Sequence, residues 1–561
     1  MTSPGAEIIV KSLIYNKVKF IFGYPGGAVM PIYDSLFTYK KQIKHILTRH
    51  EQGSIHAAQG YARGTGKPGI CLSTSGPGST NIITGLADAL IDSTPLLCIT
   101  GQVSSNLLGS DAFQEVDIID ISRPVTKWNI QITKPEKIFE VIAKGLHIAT
   151  SGRPGPVLID ITKDAQQKII SKPYKKELII SKTYKKKNKI NKKELQKLIR
   201  TIKKAHKPIL IIGQGVKLAN AENQLKKFAE NTRIPVSSTL LGLGILKTKH
   251  NLNYGMLGMH GNYQSNILIL KSDLILAIGL RFDERVIGNI KKISQKTIII
   301  HLDIENYEIN KRIKSTIHLV GNLKDNLTYL SNNFKNKKYV NWLKKINILK
   351  NIEKKYIKEK EFIKPKIGIT MPEVINYVNL YKNKNCILVT DVGQHQMSAA
   401  RYFNFTTIKS QITSGGLGTM GFALPAALGA KIGAKRRQVI CFVGDGGFQM
   451  TLQELGTIMQ YEIPIKIIII NNNFLGMVKQ WQDFFFNRRF SNTKIYNPNF
   501  TEISKAYNIK SKKVFIKEKL KKNIKKMFKS KDAFLIEILV EKEYNTLPMI
   551  PTNKSVAKIC F

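Results

Sequence analysis

Short apolar runs alternate with stretches of helical spacing along most of the chain, and the alternation breaks twice. Apolar residues recur at helical intervals from Ala6 to Leu13. The runs "KFIFGYPGG", "GICLSTSGPGSTN", "TPLLCITGQ" and "GPVLIDIT" follow, each suited to a strand that ends in a small-residue loop. A Lys-rich polar stretch interrupts them. Strand-like runs resume with "KPILIIGQG", "RIPVSSTL", "SDLILAIGLRFDERV" and "KTIIIHLDIE". After a Lys/Asn-rich helical stretch come "CILVTDVGQ", "QVICFVGDGG", "PIKIIIINNN" and "DAFLIEILV". This alternation predicts an α/β protein of three doubly wound parallel-sheet domains. The boundaries fall at residues 1–165, 191–345 and 371–545, with linkers over 166–190 and 346–370 and a tail over 546–561. The first and third units look alike in layout. Ligands on such sheets bind beyond the carboxyl ends of the strands, where the Gly-rich loops lie.

Composition narrows the class. The 561 residues exceed what one core organises. No apolar run approaches the roughly 20 residues that span a bilayer, and no basic-then-apolar leader opens the chain. The expectation is a cytoplasmic protein with no membrane partner. Five scattered cysteines, Cys71, Cys98, Cys386, Cys441 and Cys560, have no metal-ligand spacing and read as reduced thiols. The net charge of +49 raises nucleic-acid binding. Lysines are nevertheless spread along the whole chain, densest over Lys172–Lys207, and no zinc finger, recognition helix or RNP-type motif accompanies them. Drift of the surface composition toward Lys and Asn is the preferred reading, with no specific nucleic-acid partner.

The chemistry concentrates in "GDGGFQMTLQELGTIMQYEIPIKIIIINN", from Gly444 to Asn472. Asp445 stands among Gly444, Gly446 and Gly447, and Asn471 and Asn472 follow 26 and 27 positions later. "QVICFVGDGG" reads as a strand entering a turn, and "PIKIIIINNN" as the next strand. Asp445 and Asn472 therefore sit at the carboxyl ends of successive strands. Two hard oxygen ligands there suit Mg²⁺, which takes one or two protein groups plus phosphate oxygens. Bare glycine backbone and a helix N-terminus suit a diphosphate. GDGG alone is no more than a tight turn with a capping Asp; the paired asparagines at this interval make it specific.

This segment resembles the magnesium-diphosphate motif of the thiamine-diphosphate enzymes. The resemblance implies Asp445 and Asn472 as side-chain Mg²⁺ ligands, with the backbone carbonyl of Phe474 as a third. It also implies a carboxylate that hydrogen-bonds the cofactor's pyrimidine ring, and "TRHEQGSIHAAQGYAR" supplies Glu51 at that place. Alone, Glu51 would read as an exposed helix-start residue. The stretch "GGLGTMGFALPAALGA" carries Gly416-x-Gly418-x-x-Gly421, a dinucleotide-like pattern with no strand directly before it and no acidic residue about 20 positions on. In the family it wraps the cofactor, with Gly418 beside it and Met420 as an apolar wedge. Gly393, Gln394 and His395 match further cofactor contacts.

Nearly the whole chain is similar to the acetolactate synthase (acetohydroxyacid synthase) catalytic-subunit family. "GYPGGAVMPIYD", "TSGPGSTN", "GSDAFQEVDI", "SGRPGPVLIDITKD", "LGMHG", "GLRFDERVIG", "VGQHQMSAARYF", "SGGLGTMGFALPAA" and "LGMVKQWQDFFF" occur in that family's order. The resemblance implies a transferase that decarboxylates pyruvate and joins its two-carbon unit to pyruvate or 2-oxobutyrate, early in valine, leucine and isoleucine synthesis. Phe113 and Gln114 would line the reaction pocket, Lys163 its entrance, and Trp481 would favour the larger acceptor. The middle unit would hold a structural FAD through Gly213, Thr239, Leu240, Met259, His260, Gly261, Gly279, Arg281, Asp283, Arg285, Asp303 and Asn322. A homodimer or tetramer with sites between subunits and a small regulatory subunit complete the expectation.

Some positions depart from the family. Asn322 replaces a usual acid at the flavin, Ser104 and Asn106 replace frequent Pro and Arg, and Ser398 replaces a bulky aromatic. The competing readings are an FAD-redox pyruvate oxidase, another thiamine-diphosphate carboligase, and a basic nucleic-acid-binding protein on an inactive scaffold. Intact Glu51, Asp445 and Asn472 weigh against the last.

Overall fold

The computed structural model describes residues 3–170, 191–288, 296–334, 337–358, 368–542, 544–551 and 559–560. Each domain holds a six-stranded parallel sheet, as the alternation predicts. The first comprises β1 (Phe20–Gly23), β2 (Lys44–Leu47), β3 (Gly69–Ser73), β4 (Leu96–Gln102), β5 (Trp128–Ile132) and β6 (Pro156–Thr162), in the order β2-β1-β3-β4-β6-β5. The middle one comprises β7 (Pro208–Ile212), β8 (Val236–Ser238), β9 (Asn253–Met256), β10 (Leu274–Ile278), β11 (Ile298–Asp303) and β12 (Ile317–Val320), ordered β9-β8-β7-β10-β11-β12. The third comprises β13 (Cys386–Thr390), β14 (Gln411–Thr413), β15 (Gln438–Gly444), β16 (Lys466–Asn471), β17 (Lys510–Val514) and β18 (Phe534–Leu539), ordered β14-β13-β15-β16-β18-β17.

The first and third sheets share one connectivity, which makes their similar layout a topological identity. The middle sheet instead has the order of dinucleotide-binding folds, with its direction of winding reversing between β7 and β10. Central strands such as β4, β6 and β16 are buried along their whole length, so they read as continuous apolar runs with no alternation.

One helix pair joins the outer domains. The helix Glu51–Thr65 crosses the helix Ala423–Gly433 with small residues at the contact. A side chain on Gly60 would collide with the backbone of Ala426, and one on Gly429 with that of Ala57. The core there is built from backbone approach and from Ala57, Ala58, Leu424 and Leu428.

The inter-domain segments differ in part from the expected linkers. Ile169–Ile170 pairs antiparallel with Ser3–Pro4 in the first domain, and residues 171–190 lie outside the described residues. The helix Val340–Ile352 runs through the boundary placed at residue 345; Trp342, Ile346 and Leu349 are buried in the middle core. Of the tail, residues 546–551 are described along with 559–560. Thr546 N–H donates to Gln480 (2.9 Å) and Ile550 N–H to the Met259 carbonyl (2.9 Å).

Candidate active site

Asp445 opens the helix Asp445–Gln449 directly after β15, and Asn472 follows β16 by one residue. The two strands are hydrogen-bonded neighbours with Gly444 opposite Ile470, so both side chains emerge at one sheet edge. Asp445 is 2% exposed, and burial pushes its carboxyl up to about 6 against the pull of its donors. Its Oδ2 accepts from Asn473 N–H at 2.9 Å and from Asn497 Nδ2 at 2.8 Å. Asn472 Oδ1 accepts from Phe474 N–H at 3.1 Å, which makes a tight turn at the residue whose carbonyl is the expected third ligand.

The neighbouring loop after β13 brings in Gly393, Gln394 and His395. The His395 imidazole lies under two bare stretches of backbone: a Cβ on Gly393 or Gly444 would sit 3.1–3.4 Å from its ring. Burial holds this imidazole neutral, down to about 3, and its Nε2 has no hydrogen-bond partner. Gln394 donates to Gln480 (2.9 Å) and to the Tyr544 carbonyl (2.8 Å), while its Oε1 is buried without a partner. Met420 Cε approaches Gly446, at 3.8 Å from where a Cβ would stand.

The Gly415–Gly421 loop is stitched down by carboxylates. Asp92 accepts from Gly415 N–H and Gly416 N–H, both at 2.8 Å, and Asp391 accepts from Gly421 N–H at 3.1 Å and Ala423 N–H at 2.9 Å. Thr419 N–H donates to Ser414 at 2.8 Å, so the amides of Gly415, Gly416, Thr419 and Gly421 are committed to side chains of the protein.

In the first domain Glu51 starts its helix and is only 9% exposed. Its Oε2 accepts from Asn81 Nδ2 at 3.0 Å, and a Cβ on Gly78 would lie 3.4 Å from Oε1. The turn before it is clamped from the third domain: Arg49 N–H donates to Glu454 Oε1 at 2.9 Å and Arg49 Nη2 to the Gly456 carbonyl at 3.2 Å. Gln114 has φ +61° and presses its backbone against Gly76, in the loop that carries Gly78. Phe113, by contrast, is 88% exposed. Lys163 is half-buried at the start of the helix Lys163–Gln167. No residue hydrogen-bonded to Glu51 is shared with Asp445 among the described residues.

A cavity of about 480 Å³ opens at the carboxyl edge of the middle sheet. Every residue expected at a flavin lines it except Gly261, which is consumed in a turn closed by its N–H to Gly258. The cavity sits at the reversal of winding: a Cβ on Gly213 would lie 2.6 Å from Leu280 Cβ and would collide with the Gly279 carbonyl. Asp303 ends β11 here, and burial pushes it up to about 6. His260 is held neutral, down to about 4, chiefly by burial and by Arg401 and Arg285. Asn322 caps the helix Leu323–Asn333, accepting from Lys324 N–H at 2.9 Å, and keeps its place on the wall. Gly393, Gly418 and Trp481 close the cavity from the third domain. The Arg285 guanidinium stands 5.7 Å from the Trp481 ring centroid.

Arg153, Asn497, Glu454 and Asn81 escaped the sequence reading. Arg153 lines the cavity while pairing with Glu308 at 2.8 Å. It lies inside the quoted "SGRPG", Asn81 closes "TSGPGSTN" and Glu454 lies within the Gly444–Asn472 stretch, so membership of a motif was the available signal; Asn497 is a lone polar residue without informative spacing.

Two outer sheets of one topology, with a carboxylate-amide pair at the strand ends of the third domain, fit thiamine-dependent catalysis, and comparison with known families agrees. Residues 4–121, 195–330 and 391–538 match the N-terminal TPP binding, central and C-terminal TPP binding domains of thiamine pyrophosphate enzymes. Within that class, the chain belongs to the acetolactate synthase large-subunit family. It is 41% identical to the acetolactate synthase large subunit of Lactococcus lactis subsp. lactis over 98% of this chain and 95% of that one. Identity to the isozyme 2 large subunit of Escherichia coli K12 is 39%, over 98% of both chains. A probable acetolactate synthase large subunit of Methanocaldococcus jannaschii shares 41% over 99% of this chain and 95% of its own. Among the described residues no helix is long and apolar enough to cross a membrane.

Proposed function

We propose that the chain is the catalytic subunit of an acetolactate synthase, which condenses pyruvate with a second 2-oxoacid, pyruvate or 2-oxobutyrate, after decarboxylation. The observation that carries this reading is the pairing of Asp445 and Asn472 at adjacent strand ends with the buried, unpartnered His395 Nε2 beside them, a ring nitrogen that donates in one imidazole tautomer. A magnesium-bound diphosphate fits this set: the Asp445 and Asn472 oxygens suit the ion, a His395 N–H suits a phosphate oxygen, and a buried polar atom left unpaired is costly. Asp445 and Asn472 would hold the ion with the Phe474 carbonyl, while the bare backbone at Gly393 and Gly444 leaves room for phosphate oxygens. Bound thiamine diphosphate supplies the carbon nucleophile and the electron sink for loss of CO₂.

The chain's own residues then do the rest. Glu51, fixed by Asn81, holds a proton at the pyrimidine ring from a position shielded from bulk water, where such a hydrogen bond is strong. Gln114 and Phe113 orient the substrate carboxylate and cover the site. Lys163 draws in anionic 2-oxoacids. Trp481 selects the acceptor by fit, a discrimination of roughly 1–3 kcal/mol per methylene. FAD in the middle cavity serves a structural purpose, since the net reaction transfers no electrons. The assembly is a homodimer or tetramer with sites between chains, joined by a small regulatory subunit.

The test is purified protein with pyruvate, thiamine diphosphate, Mg²⁺, FAD, oxygen and inorganic phosphate, and separately with duplex DNA. Acetolactate forming without oxygen uptake is expected. Oxygen-dependent acetyl phosphate would replace this reading with an oxidase, and tight DNA binding at physiological salt without turnover would discard it.

A further inference from the structure

One side chain, Asn497, and one backbone amide, Asn473 N–H, meet on the same oxygen of Asp445. The loop at 473–475 is laid against the segment at 493–495: Leu475 N–H donates to the Thr493 carbonyl at 2.8 Å and Ile495 N–H to the Asn473 carbonyl at 3.0 Å. That pairing delivers Asn497 to the strand ends. Asn497 Nδ2 then lies 2.8 Å from Asp445 Oδ2, 3.1 Å from Asn471 Oδ1 and 3.0 Å from Asn473 Oδ1. All three are oxygen acceptors, so the face of Asn497 turned toward them is its NH₂. The opposite end is fixed as well: Gln449 Nε2, at the close of the Asp445 helix, donates to Asn497 Oδ1 at 2.8 Å. Asn471 cannot turn away either, because its own amide nitrogen donates to the buried Glu537 at 2.8 Å.

Asp445 Oδ2 thus has two donors, Asn497 Nδ2 and Asn473 N–H, which occupy its lone pairs. Oδ1 accepts from neither.

We propose that Asn497 is a positioning residue for the metal site: held by Gln449, it occupies Asp445 Oδ2 and presents Oδ1 alone to the ion. This inference rests on the reading of Asp445 as a Mg²⁺ ligand. It assigns a monodentate carboxylate, as the octahedral ion with few protein ligands requires. Outer partners of this kind orient a ligating carboxylate, and their loss typically costs 10–100-fold in metal affinity.

The experiment measures Mg²⁺ binding to the full chain with thiamine diphosphate by calorimetry, alongside circular dichroism and melting temperature. Asn497→Ala is expected to weaken Mg²⁺ binding by about 10–100-fold. Gln449→Leu, which leaves Asn497 in place but frees its amide to turn, weakens it by a smaller factor. The double variant binds no more weakly than Asn497→Ala, because Gln449 acts only through Asn497. Should Asn497→Ala misfold, Gln449→Leu carries the test, and wild-type affinity in that variant overturns the proposal. Wild-type affinity in a folded Asn497→Ala, or additive losses in the double variant, overturns it too. A wild-type chain that binds no Mg²⁺ with the cofactor would instead refute the reading of the site on which it rests.

Discussion

At the scale of single residues, buried carboxyls carry the chemistry, and their surroundings separate their tasks. Glu454 has no solvent exposure, and burial pushes it up to about 7 against Arg49 N–H and Thr457. A folded-state value above the ordinary 4.5 means that the neutral acid is the form the fold favours. Its contribution is fully present below about 4.5 and is lost as pH rises through about 7. Linkage sets the ceiling at about 3 kcal/mol for such a gap. Glutamine keeps both bonds, accepting from Arg49 N–H and donating to Thr457, without the ionisation. Glu454→Gln is therefore expected to melt closer to the wild type at pH 5 and to gain on it between pH 6 and 8. Parallel melting curves across that range would remove Glu454 as the titrating group. Asn497, Glu454 and Asn81 took no role from the sequence because each acquires it from a partner brought up by the fold: Asn81 from Glu51, 30 positions away, Asn497 from Asp445, 52 away, and Glu454 from Arg49, 405 away.

At the scale of elements, most of the layout was legible. Strands buried on both faces must be apolar throughout, and parallel strands must end in loops that turn sharply, so runs such as "PIKIIIINNN" announce both strand and site. The helical stretch read before the third unit is present as Val340–Ile352, but the Lys and Asn at its exposed positions hid that Trp342, Ile346 and Leu349 carry the middle core past residue 345. Phe113 shows the opposite limit: its motif was readable, but its exposure in one chain was not. The helix crossing is a further case where geometry outruns pattern, since Gly60 looks dispensable in sequence. A Cβ there would collide with Ala426 backbone, which cannot rotate away as a side chain would. Gly60→Ala is expected to cost about 1–3 kcal/mol of overpacking strain, while Gly27→Ala, with nothing within 4 Å of its Cβ, stays near neutral. Denaturant unfolding of the pair measures this; equal midpoints would show that the crossing yields. The helix Gly476–Phe485 carries Trp481 against Phe485, with ring centroids 5.0 Å apart. Trp481→Leu keeps an apolar body but loses the flat indole face, so the preference for 2-oxobutyrate should fall by roughly 10–200-fold at most. Product ratios from mixed substrates decide it, and an unchanged ratio takes the selecting role from Trp481.

At the scale of the whole molecule, the three sheets distribute the work. The outer two share a topology, and the middle one opens its cavity at its own switch point. Within one chain the Glu51 helix is bonded to the third domain through Arg49, Glu454 and the Gly60 crossing, yet among the described residues none is hydrogen-bonded to both Glu51 and Asp445. Both site regions also present bare apolar groups, Leu107 and Phe113 from the first domain, Leu417 and Met450 from the third. Exposed apolar side chains around two halves of a reaction centre fit a site completed by a second copy of the chain, in a closed two-fold dimer where each half meets the other's complement. Complementation tests this directly. Glu51→Gln and Asp445→Ala are each expected to be nearly inactive alone. Refolded or co-expressed together, random pairing makes about half of the dimers mixed, and each mixed dimer has one intact site of its two. Activity should therefore return to about a quarter of wild type. If Glu51 and Asp445 served the same site from one chain, no mixture could restore it, because every mixed dimer would hold two broken sites.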